Sequence, residues 1–364
     1  MYIVDFDIKI LTPLYMFGAT PWEPEIRSAS FKGLLRFWWR ALKCCDDYAK
    51  LKAMEESIFG GTSKEAGKSK VNISIDTRYM KISHNLKKDY DLKWYSDPEK
   101  NKKSLEGKDK GIGYLFYPMF LKNVKKCFKP DETFRVSLYS RDEFALKNAV
   151  AAFWCAINLG SFGSRARRGA GSLAVYRVAG DTYGFNFMTN DCKNRTELIQ
   201  WIIKNTKRAT EIIGPVDNRC IGYSNISSAS FIISERNYKK WHEALSDIGE
   251  RYADFKNEHR KDIQSGIFGL PIRHTNKSIV QATFKDRQIK RRSSPLLFKL
   301  IKCRNTHYWM ALRFAGDFLP YGAKLTWNSK PAQTPSSRLL DEFWGNLSNG
   351  NGGEHRFNLR GETV

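Results

Sequence analysis

Residues 159 to 173 read Leu159-Gly160-Ser161-Phe162-Gly163-Ser164-Arg165-Ala166-Arg167-Arg168-Gly169-Ala170-Gly171-Ser172-Leu173 and lie between two segments of opposite character. Before them, Phe144 to Ile157 is an almost continuous apolar run, long enough for a buried helix. After them, Ser172 to Val178 alternates like a strand. A loop held this way has fixed ends. Gly160, Gly163, Gly169 and Gly171 admit φ > 0 and let another backbone come close, and Arg165, Arg167 and Arg168 are fork-shaped donors that match phosphate oxygens. No Asp or Glu between Phe144 and Gly180 neutralises them. Two readings fit: a phosphate-binding turn, or a helix-to-strand connection with glycine caps and solvated arginines, which leaves the arginine cluster unexplained. Phe162 fits either a stacking platform for bases or a buried anchor of the loop.

The chain before the loop supplies an ordered set of elements. Tyr2, Val4, Phe6, Ile8 and Ile10 alternate with Asp5, Asp7 and Lys9 as in a half-buried strand, ended by Thr12-Pro13. After a Gly/Pro loop, Ser28 or Ser30 is a good N-cap for a helix running to about Ile58 and closed by Gly60-Gly61. On it Lys32, Arg36, Arg40 and Lys43 form a basic stripe beginning near Arg27, at the end where free N–H groups attract anions. A solvated face and a phosphate-binding face fit that stripe equally. Gly67-Lys68-Ser69 imitates a nucleotide-binding loop, but it lacks the glycine at the required spacing and follows a helix rather than a strand. Val71 to Ile75 reads as a short strand. Lys81 to Lys110 is polar and lysine-rich, as in a long mobile insertion, and Gly111–Tyr117 and Thr133–Tyr139 read as two further strands. The resulting order, strand, helix, strands, helix, strand, is that of the ferredoxin-like and RNA-recognition folds.

A second unit, 191–364, follows the first, 1–190. It holds helices at Thr196–Ile213, Tyr238–Ile263 and Arg338–Leu347 and strands at Ala229–Ser234, Leu296–Ile301 and Tyr308–Phe314, with a Gly/Asn-rich, loose tail from Ser348. Between Arg273 and Arg292 seven Lys/Arg residues face a single acid, Asp286. The expected class is α+β: tandem ferredoxin-like (RRM-like) domains with helices on one face of antiparallel sheets. The 364 residues carry 61 Lys and Arg against 38 Asp and Glu, a formal charge of +23 that collects polyanions, nucleic acid first among them. Seven cysteines with no C-x-x-C pair argue against a zinc ribbon or a disulfide framework, and the adjacent Cys44-Cys45 reads as helix packing. The first residues lack a basic n-region and an apolar core, and no run reaches membrane-spanning length, so the expected location is the cytoplasm.

Three motifs together resemble a known family. Ile26-Arg27-x-x-Ser30-Phe31-Lys32-Gly33-Leu34-Leu35-Arg36-x-Trp38-Trp39-Arg40, the closing Phe59-Gly60, and the loop Gly160-x-x-Gly163-Ser164-Arg165-x-Arg167-Arg168-Gly169-x-Gly171 are similar to the RAMP superfamily of CRISPR proteins. Helped by Arg291-Arg292-Ser293-Ser294-Pro295, they resemble in particular the first RAMP subunit of type III-B (Cmr) effector complexes. The resemblance implies single-stranded RNA binding and assembly with other Cmr subunits around a guide RNA, near its 3′ end, with target RNA as a further partner. The expected RNA contacts are Arg27, Lys32, Arg36, Arg40, Phe162, Gly163, Arg165, Arg167, Arg168, Gly169, Gly171, Arg273, His274, Arg291 and Arg292.

Some RAMP relatives are metal-independent endoribonucleases with a histidine base. Of the six histidines, at 84, 242, 259, 274, 307 and 355, only His274 sits in a basic loop context beside Arg273. Metal-spaced carboxylates and the G-x-S-x-G and H-E-x-x-H signatures are absent. The sequence reading is therefore a non-catalytic RNA-binding subunit needing no metal or cofactor; a RAMP-type nuclease and a pure protein-interaction subunit are the alternatives.

Overall fold

In the computed structural model the described residues are 1–63, 66–77, 80–96, 105–120, 124–214, 222–273, 278–328 and 330–357. Strand β1 (Tyr2–Ile10) buries Val4, Phe6, Ile8 and Ile10, as its alternation requires. Helix α1 (Ser28–Lys43) follows Arg27, whose side chain makes no cap. The single helix expected to reach Ile58 is two helices. Cys44 turns into the left-handed region at φ 44 and its N–H closes α1 on the Arg40 carbonyl at 3.1 Å. Asp47 then caps α2 (Tyr48–Phe59) by accepting the N–H groups of Ala49 and Lys50 at 2.9 and 3.0 Å. Cys44 and Cys45 thus lie, buried, in the break rather than on a helix. Gly60 ends α2 at φ 74 as expected, and β2 (Asn72–Asp76) follows.

The next segment holds β3 (Ile82–Ser83), α3 (Leu86–Asp89), β4 (Tyr95–Ser96), β5 (Leu105–Glu106) and α4 (Lys110–Leu115), then β6 (Cys127–Phe128) and β7 (Thr133–Ser140). Leu86, Leu92 and Trp94 are buried, so much of the expected mobile insertion is packed structure. Helix α5 (Glu143–Asn158), capped by Asp142, is buried almost throughout, and β8 (Leu173–Ala179) completes the unit. The first sheet runs β2-β7-β1-β8, antiparallel throughout, with Phe6 opposite Val136 and Ile8 opposite Phe134. That is the ferredoxin-like order. Its helices cover one face; Ile3 and Tyr176 stand exposed on the strands. Helix α6 (Arg195–Ile213) packs back on α5, with Trp154 and Trp201 rings 5.1 Å apart.

The second half comprises β9 (Asn225–Ile233), α7 (Trp241–Glu258), β10 (Ile272–Arg273), β11 (Ile279–Phe284), β12 (Arg287–Ile289), β13 (Leu296–Cys303), β14 (Thr306–Ala315), β15 (Lys324–Trp327), β16 (Lys330–Gln333), α8 (Arg338–Asn349) and β17 (His355–Arg356). Its main sheet, β13-β14-β9-β17, repeats the strand permutation of the first. A second sheet, β10-β11-β15-β16 with β12 paired to β11, is inserted. Three expectations change. The helix expected over Tyr238–Ile263 stops at Glu258 and a short 3₁₀ turn, Ile263–Phe268, follows. The tail does not loosen at Ser348: β17 pairs with β9, and Phe357 stacks on Phe231 at 5.0 Å. The strand expected over Gly111–Tyr117 is α4, because Gly111 serves a helix crossing. A Cβ on Gly111 would stand 2.0 Å from the Ser246 carbonyl oxygen of α7, and one on Gly249 would stand 2.5 Å from that of Gly111.

The main sheet of the second half also departs from the expected single helical face. Leu297 and Ile301 of β13 join the core built on α1, α5 and α6, whereas Leu296, Phe298 and Leu300 join the core under α7 and α8. Helices therefore cover both its faces, and the two repeats share one apolar layer.

Candidate nucleic-acid interface

The loop after α5 is shaped by its own chain. Gly163, Gly169 and Gly171 take φ of 79, 87 and 66. A Cβ on Gly163 would lie 2.4 Å from the Tyr15 carbonyl oxygen and one on Gly171 would lie 1.9 Å from that of Phe162. The Ser164 N–H donates to Tyr15 O at 2.6 Å and that of Gly171 to Pro13 O at 3.0 Å. The close approach that glycine permits here is thus made by the segment leaving β1. Phe162 is 1% exposed with its ring 4.6 Å from that of Phe31; of the two readings of this residue, the anchor is the one observed, and no ring face is open to a base.

The three arginines reach inward. Arg165, itself at φ 62, donates Nε to the Leu115 carbonyl at 2.7 Å. Arg167 donates to the Ser294 carbonyl and lies over Phe314, 4.7 Å from its centroid. Arg168 donates to the Tyr252 hydroxyl at 2.9 Å and the Phe268 carbonyl at 3.1 Å, above the Tyr252 ring. Each of these acceptors is neutral, and each belongs to α4 or to the second half. Burial, and next the Arg168 charge, push Arg165 and Arg167 down to about 10. The motif that reads as a phosphate claw fastens the two halves together.

The stripe on α1 divides. Arg36 and Arg40 both pair with the buried carboxylate of Glu55 on α2, the latter at 2.7 Å, and Arg36 also donates to the Gly60 carbonyl at 2.9 Å. Lys43 reaches the Ile213 carbonyl at 3.4 Å. Lys32 and Arg27 remain. Lys32 is half-buried and its pKa is lowered, first by burial and then by Arg36; Arg27 is exposed, 3.8 Å from Glu25. In the second half Arg292 donates to the Phe318 and Asp317 carbonyls, while Arg273 and Arg291 are exposed on and beside the inserted sheet. His274 lies outside the described residues.

What the sequence did not single out is a cleft of about 300 Å³ between the β1–α1 segment, the first turns of α1 and the exposed tip of the loop, lined by Tyr15, Phe17, Ser30, Leu34, Ser161 and Ser164 among others. The α1 N-terminus at this cleft has no side-chain cap and no acid in its first turn, so its N–H groups carry uncompensated partial positive charge. Beside it, Lys125 sits 3.2 Å from the ring centroid of Trp22 and 5.8 Å from that of Phe17, and Trp22 is 47% exposed. Trp22 is therefore the open aromatic surface that Phe162 is not. Its signal was a tryptophan between prolines in a loop leading into a helix, where no core would claim it. Among the described residues no His, Asp, Glu or Cys lines the cleft. Such a site can hold an anionic, partly aromatic chain; its lining offers no general base.

The RAMP superfamily profile matches residues 7–174. The Cmr subunit Cmr1-2 of a CRISPR system from Pyrococcus furiosus is 34% identical over 190 residues, 48% of this chain and 96% of that one. Cmr1-1 of the same organism is 29% identical over 329 residues, covering 86% of this chain and 88% of its own. The crystal structure of apo Cmr1 from Pyrococcus furiosus superposes with a TM-score of 0.67 at 26% identity, covering 98% of this chain and 99% of that one. A chain of the type III-B Cmr-beta complex bound to cognate target RNA gives 0.57 at 16% identity over 96% and 99%, a likeness of fold alone. The chain belongs to the RAMP superfamily of CRISPR proteins.

Proposed function

We propose that this chain is a non-catalytic, single-stranded RNA-binding subunit of a type III-B CRISPR (Cmr) effector complex, working in the cytoplasm with other Cmr subunits on guide RNA and target RNA. The observation that carries the reading is the cleft. Beside it, the uncapped α1 N-terminus, Arg27 and, one turn on, Lys32 can neutralise phosphates, and Trp22 offers an exposed ring for a base. Contacts of this kind go to the sugar-phosphate chain, so sequence preference is weak. The inward arginines support the cleft by fixing the loop that forms one of its walls. Among the described residues no group of His, Cys, Asp and Glu is placed to hold a metal, and no helix is long and apolar enough to cross a membrane.

The test is a titration of a short labelled single-stranded RNA with the full chain, in EDTA, at two salt concentrations, with products resolved on a denaturing gel. Intact RNA, bound with an affinity that falls steeply as salt rises, is the expected result. Defined cleavage products would make the protein a metal-independent nuclease. Affinity no better than that of an unrelated basic protein would make it an interaction subunit.

A further inference from the structure

We infer that the inserted sheet of the second half is a second contact surface for single-stranded RNA, separate from the cleft; the inference rests on the RNA-binding reading above. The sheet belongs to neither ferredoxin-like repeat and has a small core of its own around Val280, Ala282, Leu325 and Trp327. Outside that core its surface is cationic. Arg273, Lys285, Arg287, Lys290, Arg291 and Lys324 are all exposed, and Asp286 is the single acid between 273 and 292. Among the described residues none of the six holds an ion pair, whereas Arg313 and Arg356 in the same half each hold one and Arg338 holds two. A surface whose cations are left unpaired suits a partner that brings the counter-charge.

The geometry adds aromatics to the charge. Strands β11 and β12 pair Thr283 with Gln288 and Phe284 with Arg287, joined by Lys285 and Asp286 at φ 46 and 59, the tight turn whose twist matches that of its strands. The tip is therefore held firmly and presents Lys285 and Arg287 outward. A second turn, Tyr321-Gly322, lies alongside: a Cβ on Gly322 would stand 4.0 Å from the Phe284 ring. Tyr321 is 99% exposed, more than any other large apolar side chain described, and the Lys285 ammonium lies 5.4 Å from the Phe284 centroid. Among the described residues no ring contact or hydrogen bond engages Tyr321. Unpaired cations interleaved with open aromatic faces are the means by which proteins hold single strands, phosphates on the charges and bases on the rings. A protein partner would need a contiguous apolar area, and this edge offers isolated rings in a basic field.

The experiment compares the full chain with a Lys285→Ala, Arg287→Ala, Tyr321→Ala triple variant, binding uridine-rich RNAs of roughly 8 and roughly 24 nucleotides, lengths that span one and more than one typical contact surface. The three side chains lie on the surface, and an unchanged melting temperature verifies the fold. The expected result is unchanged affinity for the short RNA and a loss of about tenfold for the long one, with a shallower salt dependence. In the wild type, an iodouridine-substituted long RNA should photo-crosslink to the peptide holding Tyr321. If the wild type binds long RNA but the variant binds it equally well and no crosslink reaches Tyr321, the second surface is overturned and the cleft stands. A loss equal at both lengths overturns it too, as a general effect of charge. A wild type that binds neither RNA overturns this inference together with the reading on which it rests.

Discussion

The arginine-rich loop and the mouth of the cleft lie side by side, and their cations have opposite fates. Arg165, Arg167 and Arg168 reach carbonyls and a hydroxyl inside the molecule, two of them at the cost of a guanidinium pKa lowered to about 10. Arg27, a few residues from the same cleft, stands in solvent at an uncapped helix end. The division recurs on α1, where Arg36 and Arg40 share Glu55 while Lys32, one turn earlier, has no carboxylate partner among the described residues. Side-chain type does not decide whether a cation serves the fold or a ligand. What decides is whether the chain buries the cation against an acceptor, as Arg27 with its exposed Glu25 neighbour is not, because a buried donor must be satisfied and an exposed one is already satisfied by water.

The largest test of this contrast is Arg168→Ala, which strips the Tyr252 hydroxyl and the Phe268 carbonyl of their shared donor and removes a stacked plane. Stability should fall by on the order of 3 kcal/mol in urea unfolding, with RNA affinity of the folded fraction nearly unchanged. An unaltered stability with a tenfold loss of affinity would return the loop to the phosphate site. Next comes Glu55→Gln, which leaves Arg36 and Arg40 without their counter-charge. A loss of about 2 kcal/mol is expected, because breaking a buried pair strands its partner, together with RNA affinity that holds or rises. Falling affinity would mean that the α1 middle is part of the site.

The smallest effect concerns a cation with no acceptor. Lys299, in the shared apolar layer, is 1% exposed, its Nζ has no hydrogen-bond partner among the described residues, and burial pushes its pKa down to about 7. In the unfolded chain the amine keeps its ordinary value near 10.5, so between pH 7 and 10 the unfolded state binds the extra proton and stability rises with pH. Lys299→Met should stabilise the protein by about 1 kcal/mol at neutral pH and flatten that rise. A rise of equal steepness in the variant would show that another group drives it.

Sequence reached the fold where the signal is local. β1, β7 and β8 alternate, α5 is apolar on nearly every face, and together they dictate the first sheet. It failed where the deciding contact is distant. The Gly111–Tyr117 stretch suggested a strand because the helix that Gly111 permits needs α7, more than a hundred residues away, against its backbone. The α1–α2 break left a local trace in Asp47, a good N-cap that a continuous basic stripe masked. The candidate site was half legible. Arg27 and Lys32 were singled out because a helix N-terminus can be read from spacing, whereas the inward turn of the loop arginines depends on carbonyls of Leu115, Ser294 and Phe268 that no local pattern announces.

The most direct measurement is the slope of log affinity against log salt for single-stranded RNA, taken for the wild type and for an Arg27→Ala, Lys32→Ala double variant. Two cations, Arg27 exposed and Lys32 half-buried, on two phosphates predict a slope shallower by about 1.4, an affinity lower by about tenfold, and an unchanged unfolding midpoint. The same slope in both proteins would contradict the account, because the cleft mouth would then hold no phosphate.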